Sequence, residues 1–323
     1  MPEGHSVHRI ARQFALHFVG CRVAASSPQG RFAAGAAQLD GHVMTEAMAV
    51  GKQMFLEFDN GLWLRVHLGI YGAWDFSGDI TADATIASSN GRIGQTNQRG
   101  TVVGEHEDSL SSIGAPRRTR LRMAEQERLE TPADTFPPEP IGAVRVRLLT
   151  DATCADLRGP TACDVLTPDE VQAVIAKLGP DPLVDTGRAA EDRFTATVLK
   201  KPTPICLLLM DQSVVSGIGN VYRAEILFRA RLNPHIPGRD LPEATVRALW
   251  KDWVKLLKIG VKNGQMMTMD GLSKSAYDGA MASRADRHWV YHRTGLPCRV
   301  CGTSILMEEI GGRKLYWCPV CQA

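Results

Sequence analysis

Residues 295–321 read GLPCRVCGTSILMEEIGGRKLYWCPVC, and this stretch decides how the chain ends. Cys298 and Cys301 form one C-x2-C pair, Cys318 and Cys321 a second, with 16 residues between them. Each pair makes a tight turn that aims two sulfurs at one centre, and two pairs at this spacing fit a tetrahedral site of four thiolates around Zn2+. Such a shell leaves no open coordination position, so one structural zinc per chain is expected. The intervening SILMEEIGGRKLYW reads as two short strands around Gly311-Gly312, a ribbon that presents Arg313 and Lys314 near its tip. The remaining cysteines, Cys21, Cys154, Cys163 and Cys206, are scattered, which argues for a metal site and against a disulfide framework.

Upstream lies MDQSVVSGIGNVYRAEILFRARLNP (210–234). Gly217-Ile218-Gly219-Asn220 sits between two helical patterns, over 204–212 and about 221–230. The glycines permit a tight turn and close backbone approach. Asn220 is expected to cap the second helix, whose free N–H groups make a natural phosphate site. Val221, Tyr222 and Arg223 follow, so this is no G-x-G-x-x-G and a dinucleotide fold has no support. Further helices are signalled at TPDEVQAVIAKLG, with Thr167, Pro168 and Glu170 at its start and Gly179 as stop, and from Pro242-Glu243 to Gly260.

The N-terminal part has a different texture. Residues 4–19 predict an amphipathic helix with Val7, Ile10, Ala11, Phe14 and Phe18 on one face. QMFLEF and LWLRVHL alternate with period two and are joined by Asp59-Asn60-Gly61, a hairpin signal. AVRVRLL (143–149) resumes the alternation. Between about 77 and 140 the periodicity dissolves, and the stretch reads as a flexible insertion.

At 323 residues the chain has room for two cores, and 44% hydrophobic with 22% charged residues is the balance of a globular protein. No run of about 18 apolar residues suggests a membrane span, and no signal-peptide core precedes the first helix. A cytoplasmic chain without membrane contact is the expectation. The net charge of +2 conceals an asymmetry: Lys and Arg minus Asp and Glu is −7 over residues 1–192 and +9 over 193–323. Clustered basic charge suits a polyanion.

The chain opens MPEGHSVHRI. Proline is small enough for the initiator methionine to be removed, which would leave Pro2 as an N-terminal secondary amine beside a carboxylic acid, Glu3. An α-amine with a reference pKa of about 8 keeps an appreciable neutral fraction at pH 7.

Together, Pro-Glu-Gly at the N-terminus, Gly51-Lys52, HLGIYGAW, MDQ…GIGNVYRAE and YHRTGLPCRVCG…GRKLYWCPVCQ, in this order, resemble the bacterial formamidopyrimidine-DNA glycosylase/endonuclease VIII family. MPEGH is closer to the endonuclease VIII branch, in particular its actinobacterial-type members. The resemblance covers nearly the whole chain outside the insertion. It implies an α+β multidomain fold: an N-terminal β-sandwich with its helix (1–150), a helix-two-turn-helix domain (151–287) and a C-terminal zinc finger ribbon (288–323). It also implies a monomer acting on damaged DNA in base excision repair, with the damaged base flipped out of the stack.

By the same resemblance Pro2 is the nucleophile that attacks the sugar C1′, and the iminium it forms is the electron sink for β,δ-elimination. Glu3 is the acid that opens the sugar ring, Lys52 a proton donor and phosphate contact, and Arg313 the finger arginine on phosphate. Asn220 and Arg158 correspond to DNA-contacting positions. Ile70 and Tyr71 fall where relatives insert side chains into the gap left by the flipped base. Gly69 departs from the pattern, since some relatives carry glutamine there. Residues 266–287, rich in Gly, Ser, Met and Asp, are either a flap over the base pocket or a plain loop.

The resemblance implies a bifunctional DNA glycosylase/AP lyase that removes oxidised pyrimidines, with a purine-directed enzyme acting on 8-oxoguanine or formamidopyrimidines as the alternative. A zinc-ribbon DNA-binding protein without catalysis is the alternative of another class, but it would have no need of Pro2, Glu3 and Lys52.

Overall fold

The computed structural model describes residues 2–80, 112–114, 136–283 and 286–323. Met1, whose removal the N-terminal motif suggests, lies outside these residues, as does most of the insertion. Two compact units are present: residues 1–176 with 261–264, and residues 177–260 with 265–323.

In the first unit, α1 (Gly4–His17) is followed by β1 (Arg22–Ser26), α2 (Ala33–Leu39), β2 (His42–Val50), β3 (Gln53–Phe58), β4 (Trp63–His67), β5 (Ala73–Gly78), β6 (Ser112–Gly114), β7 (Val144–Leu149), β8 (Thr153–Arg158), β9 (Ala162–Leu166) and α3 (Pro168–Ile175). Among the described residues the strand order is β6-β5-β8-β7-β1-β2-β3-β4-β9. β1 joins the two halves through Arg22↔Val43 and Val23↔His42. The halves fold over one another as a β-sandwich around Val23, Met54, Leu64, Trp74, Val146 and Leu157. All five apolar residues expected on one face of α1 are buried, and Phe14 meets Trp74 edge-on with 4.8 Å between ring centroids.

Two hairpins shape this unit. Asp59-Asn60-Gly61 turns β3 into β4 as expected, with Gly61 at φ 78°. The β2–β3 turn is Gly51-Lys52, between the paired Val50 and Gln53, with the glycine at φ 61°. This glycine-first arrangement suits the twist of paired strands. Within the stretch read as a structureless insertion, Ser112–Gly114 pairs with Ala73–Asp75 of β5; a strand of three residues is too short for alternation to show.

The second unit holds α4 (Arg188–Leu199), α5 (Ile205–Leu208), α6 (Asn220–Arg229), α7 (Glu243–Asn263, whose last turn belongs to the first unit), α8 (Lys274–Ala282) and the ribbon β10 (Leu306–Ile310) with β11 (Arg313–Trp317). Its core joins Phe194, Val221, Tyr222 and Trp253 to Ile305, Leu315 and Tyr316 of the finger.

Three expectations need correction. The boundary at residue 150 falls too early, because β8 and β9 pair within the first sheet and the chain leaves that unit at Ala176. The helix expected over 204–212 is only Ile205–Leu208, because the Asp211 side chain accepts from Ser213 N (2.9 Å) and turns the chain. α7 runs through Gly260 to Asn263, and Gly264, at φ 69°, follows it.

Candidate active site and metal centre

Pro2 and Glu3 are buried at the head of α1. Glu3 is extended (φ −123°, ψ −180°), and its carbonyl accepts Ser6 N at 2.9 Å to start the helix. Polar side chains crowd this first stretch of α1: His5, Ser6, Arg9 and Gln13 are all buried. Arg9 Nη1 donates to Val261 O at 2.7 Å. A Cβ on Gly264 would lie 2.8 Å from the same guanidinium, so only glycine fits there. Buried polar groups are costly unless partnered, and four of them lie along this one helix.

α1 packs on β2 and β3, the strands joined by Gly51-Lys52. Lys52 is half-buried. His67, in β4, places Nδ1 2.9 Å from Lys52 O, and burial holds its pKa below the usual imidazole value. A neutral ring therefore braces the lysine turn at pH 7. Sequence reading singled out neither His67 nor Arg9, although HLG was quoted as part of a motif.

Ile70 and Tyr71 stand at the tip of the β4–β5 loop, 39% and 44% exposed. The loop is braced from beneath by the β8–β9 turn. Thr161 N donates to His67 O at 2.8 Å, and a Cβ on Gly159 would lie 3.1 Å from Tyr71 O. Gly69 is at φ 63°, and a Cβ there would overlap the Thr161 hydroxyl, which explains why this chain has no glutamine at that position. Arg158 closes the same corner and is paired with Asp75 (Nη2–Oδ2, 3.0 Å). Its first engagement is thus within the sheet.

In the second unit, the MDQ…GIGN motif is held by its own side chains. Gln212 Oε1 accepts Gly217 N (3.1 Å), and Nε2 donates to Met210 O (3.0 Å) and Ile218 O (3.1 Å). Ser216 Oγ donates to Gly179 O at 2.6 Å, so this turn and the one at Gly179-Pro180 interlock.

Asn220 is not the cap. Gly219 holds that position without a side-chain bond, and Asn220, only 5% exposed, donates from Nδ2 to Lys314 O at 2.7 Å. Arg223, fully buried, donates to the same carbonyl (3.1 Å) and to Asn220 Oδ1. Two side chains of α6 therefore grip β11 one residue from Arg313, which is exposed at the tip of the ribbon. On the far side of α6, Glu225 is fully buried. Its carboxylate accepts Thr268 Oγ1 (2.5 Å), Trp289 N (2.7 Å), Val290 N (2.9 Å) and Tyr291 N (2.8 Å). Burial pushes its pKa up, against the downward pull of these donors. Residues 266–287 are not a plain loop, since they contain α8, with Met267, Ala280 and Met281 in a small cluster of their own.

The four finger cysteines converge. Their sulfurs all lie within 4.8 Å of one another, with Cys298–Cys321 at 3.9 Å and Cys301–Cys318 at 3.5 Å. Zn–S bonds of about 2.3 Å in a tetrahedron require edges of about 3.8 Å. The donor set fits zinc with small shifts of the sulfurs, and Cys298, Cys301, Cys318 and Cys321 hold one structural zinc ion.

Comparison with known proteins agrees with this layout. Three family models match in succession: the formamidopyrimidine-DNA glycosylase N-terminal domain over residues 1–129, the formamidopyrimidine-DNA glycosylase H2TH domain over 178–270, and the zinc finger found in FPG and IleRS over 295–323. The chain belongs to the formamidopyrimidine-DNA glycosylase/endonuclease VIII family of DNA glycosylases. Among its relatives, Endonuclease 8 1 of Mycobacterium tuberculosis is 37% identical over 322 residues, covering 100% of both chains. The formamidopyrimidine-DNA glycosylase of Rippkaea orientalis is 35% identical over 157 residues, covering 49% of this chain and 54% of that one. The fold is that of the Lactococcus lactis formamidopyrimidine-DNA glycosylase bound to DNA containing an AP site (TM-score 0.67, 18% identity, 99% of each chain covered). The MutM (Fpg) protein of Thermus thermophilus shares it as well (TM-score 0.63, 22% identity, 99% and 98% covered).

Proposed function

We propose that the chain is a bifunctional DNA glycosylase/AP lyase that removes oxidised pyrimidines from DNA through a Schiff base on Pro2. The observation that carries the reading is the buried Pro2-Glu3 pair at the head of α1, in a family member whose full-length relative is named Endonuclease 8 1. With Met1 removed, the Pro2 nitrogen attacks C1′ and the damaged base departs with the glycosidic electron pair. Glu3 protonates the ring oxygen, which opens the sugar and leaves an iminium. Loss of a C2′ proton into that sink expels the 3′ phosphate, and a second elimination expels the 5′ phosphate.

In this reading Lys52 donates a proton and meets phosphate, and Arg313 meets phosphate during the second elimination. Asn220 acts through the finger: with Arg223 it fixes β11, and so the place of Arg313. Ile70 and Tyr71 fill the gap left by the extruded base, and Arg158 supports their loop. The full-length match to an endonuclease 8, against matches of about half the chain to formamidopyrimidine-DNA glycosylases, favours pyrimidine lesions.

Borohydride should trap a covalent complex between the protein and abasic-site DNA, and a Pro2 replacement should abolish it. No trapping by the wild type, or undiminished trapping by the variant, would sink the mechanism. A cleavage panel of thymine glycol, dihydrouracil, 8-oxoguanine, uracil and abasic duplexes tests the lesion class; preferred cleavage of 8-oxoguanine would replace pyrimidines by purines.

A further inference from the structure

α7 carries an unusual solvent face. Lys251, Lys255 and Lys258 are exposed at spacings of four and three, which places them in one row. On a solvated helix face a carboxylate one turn from a lysine offsets its charge. Here, among the described residues, no carboxylate forms an ion pair with any of the three. Asp252 is clamped by Arg229, with Nε–Oδ2 and Nη2–Oδ1 both at 2.7 Å, while Glu191, Asp192 and Glu243 gather around Arg247. Like charges at these spacings weaken a helix, and among the described residues no ion pair offsets that cost.

A second, independent feature adjoins the row. Arg231, just past the end of α6, is exposed and held at φ 52°, where glycine would sit without strain. Its guanidinium lies 4.4 Å above the Phe228 ring, in a cleft lined also by Ala248, Trp289 and two carboxylates, Asp252 and Asp270, both paired with Arg229. A bulky residue kept in a strained conformation points to a use for its side chain.

We infer that Arg231, Lys251, Lys255 and Lys258 form a second phosphate-binding surface for duplex DNA, apart from the finger. The two surfaces belong to opposite ends of α6. Asn220, at its start, holds the strand of Arg313, and Arg231 follows its last turn, about 15 Å further along the helix axis. Duplex DNA fits this face better than a lipid surface does. The apolar side of α7 (Val246, Leu249, Trp250, Trp253, Leu257) is consumed by the core, so the helix has nothing to insert between acyl chains. What remains exposed on the row is Lys251, Lys255 and Lys258, a cationic set that a polyphosphate backbone satisfies.

The test compares the wild-type protein with K251Q/K255Q/K258Q and with Arg231→Gly. Binding to an undamaged duplex of several helical turns is measured against salt, and single-turnover cleavage on a lesion duplex of little more than one turn. Each phosphate contact contributes about 0.9 to the slope of log K against log salt. The triple variant should therefore lose about 2.7 from the slope on the long duplex, with short-duplex cleavage unchanged. Arg231→Gly should lower the slope and raise the melting temperature together. An unchanged slope overturns the inference, including the case in which the row binds phosphatidylserine vesicles instead. A matching loss of short-duplex cleavage also overturns it, because the lysines would then belong to the lesion interface. The undamaged-duplex measurement does not depend on catalysis, so its outcome stands apart from the glycosylase reading.

Discussion

Gly69 is held by its left-handed backbone and by the Thr161 hydroxyl pressed against it. Gly69→Gln, which installs the side chain that some family members carry, should destabilise the first unit by about 2 kcal/mol through φ strain and displacement of Thr161. An unchanged urea midpoint would show that the loop can lift off its brace. His67 makes a different prediction at the same scale. Burial holds its pKa below the ordinary value of 6.5, so on acidification the unfolded chain takes up a proton that the folded chain refuses. Stability should be constant above about pH 6.5 and fall as the pH drops from there toward the folded pKa. Denaturant titrations between pH 5 and 7.5 (an interval of about one unit either side of the reference value) should show this slope in the wild type and its loss in His67→Gln.

Among the elements, α6 shows most clearly what could be read in advance. Its start after two glycines and its span within a residue of 221–230 were legible, because glycine freedom and apolar periodicity are local signals. The capping box of α3, with Thr167 and Glu170 bonded reciprocally, was legible for the same reason. What Asn220 and Arg223 do was not legible, since their partner carbonyl is 94 and 91 residues away and no local pattern encodes that distance. The same holds for His67, whose partner Lys52 comes close only when β3 and β4 pair. The strand β6 left too short a trace for periodicity to detect. Glu225 supplies the prediction at this scale. Glu225→Gln would set an amide group against backbone N–H donors inside the core, and should cost about 3 kcal/mol, read as a lowered denaturation midpoint for the second unit. A midpoint within error of wild type would mean that the 288–291 segment can find other acceptors.

At the scale of the molecule, zinc is part of a core rather than an ornament on it. Cys298 and Cys318 are buried among the same residues as Val221, Tyr222 and Trp253. Metal analysis should return one zinc per chain. Chelation should loosen the second unit well beyond the ribbon, seen as loss of its thermal transition, while the first unit, which contributes no ligand, keeps its own. Retention of both transitions in the metal-free protein would show that the shared apolar core suffices.

β6 occupies the outer flank of β5, the strand that would otherwise end that side of the sheet. Its three residues act as a bumper, satisfying backbone groups that any extended stranger could seize. The insertion leaves β5 at Gly78 and returns at Phe136, whose ring a Cβ on Gly78 would approach to 2.7 Å, so splicing out 81–135 need not tear the fold. It would, however, strip the bumper away. The shortened protein should then stick to itself edge to edge, as a molar mass rising with concentration in light scattering. A mass that stays constant would mean that β5 needs no guard.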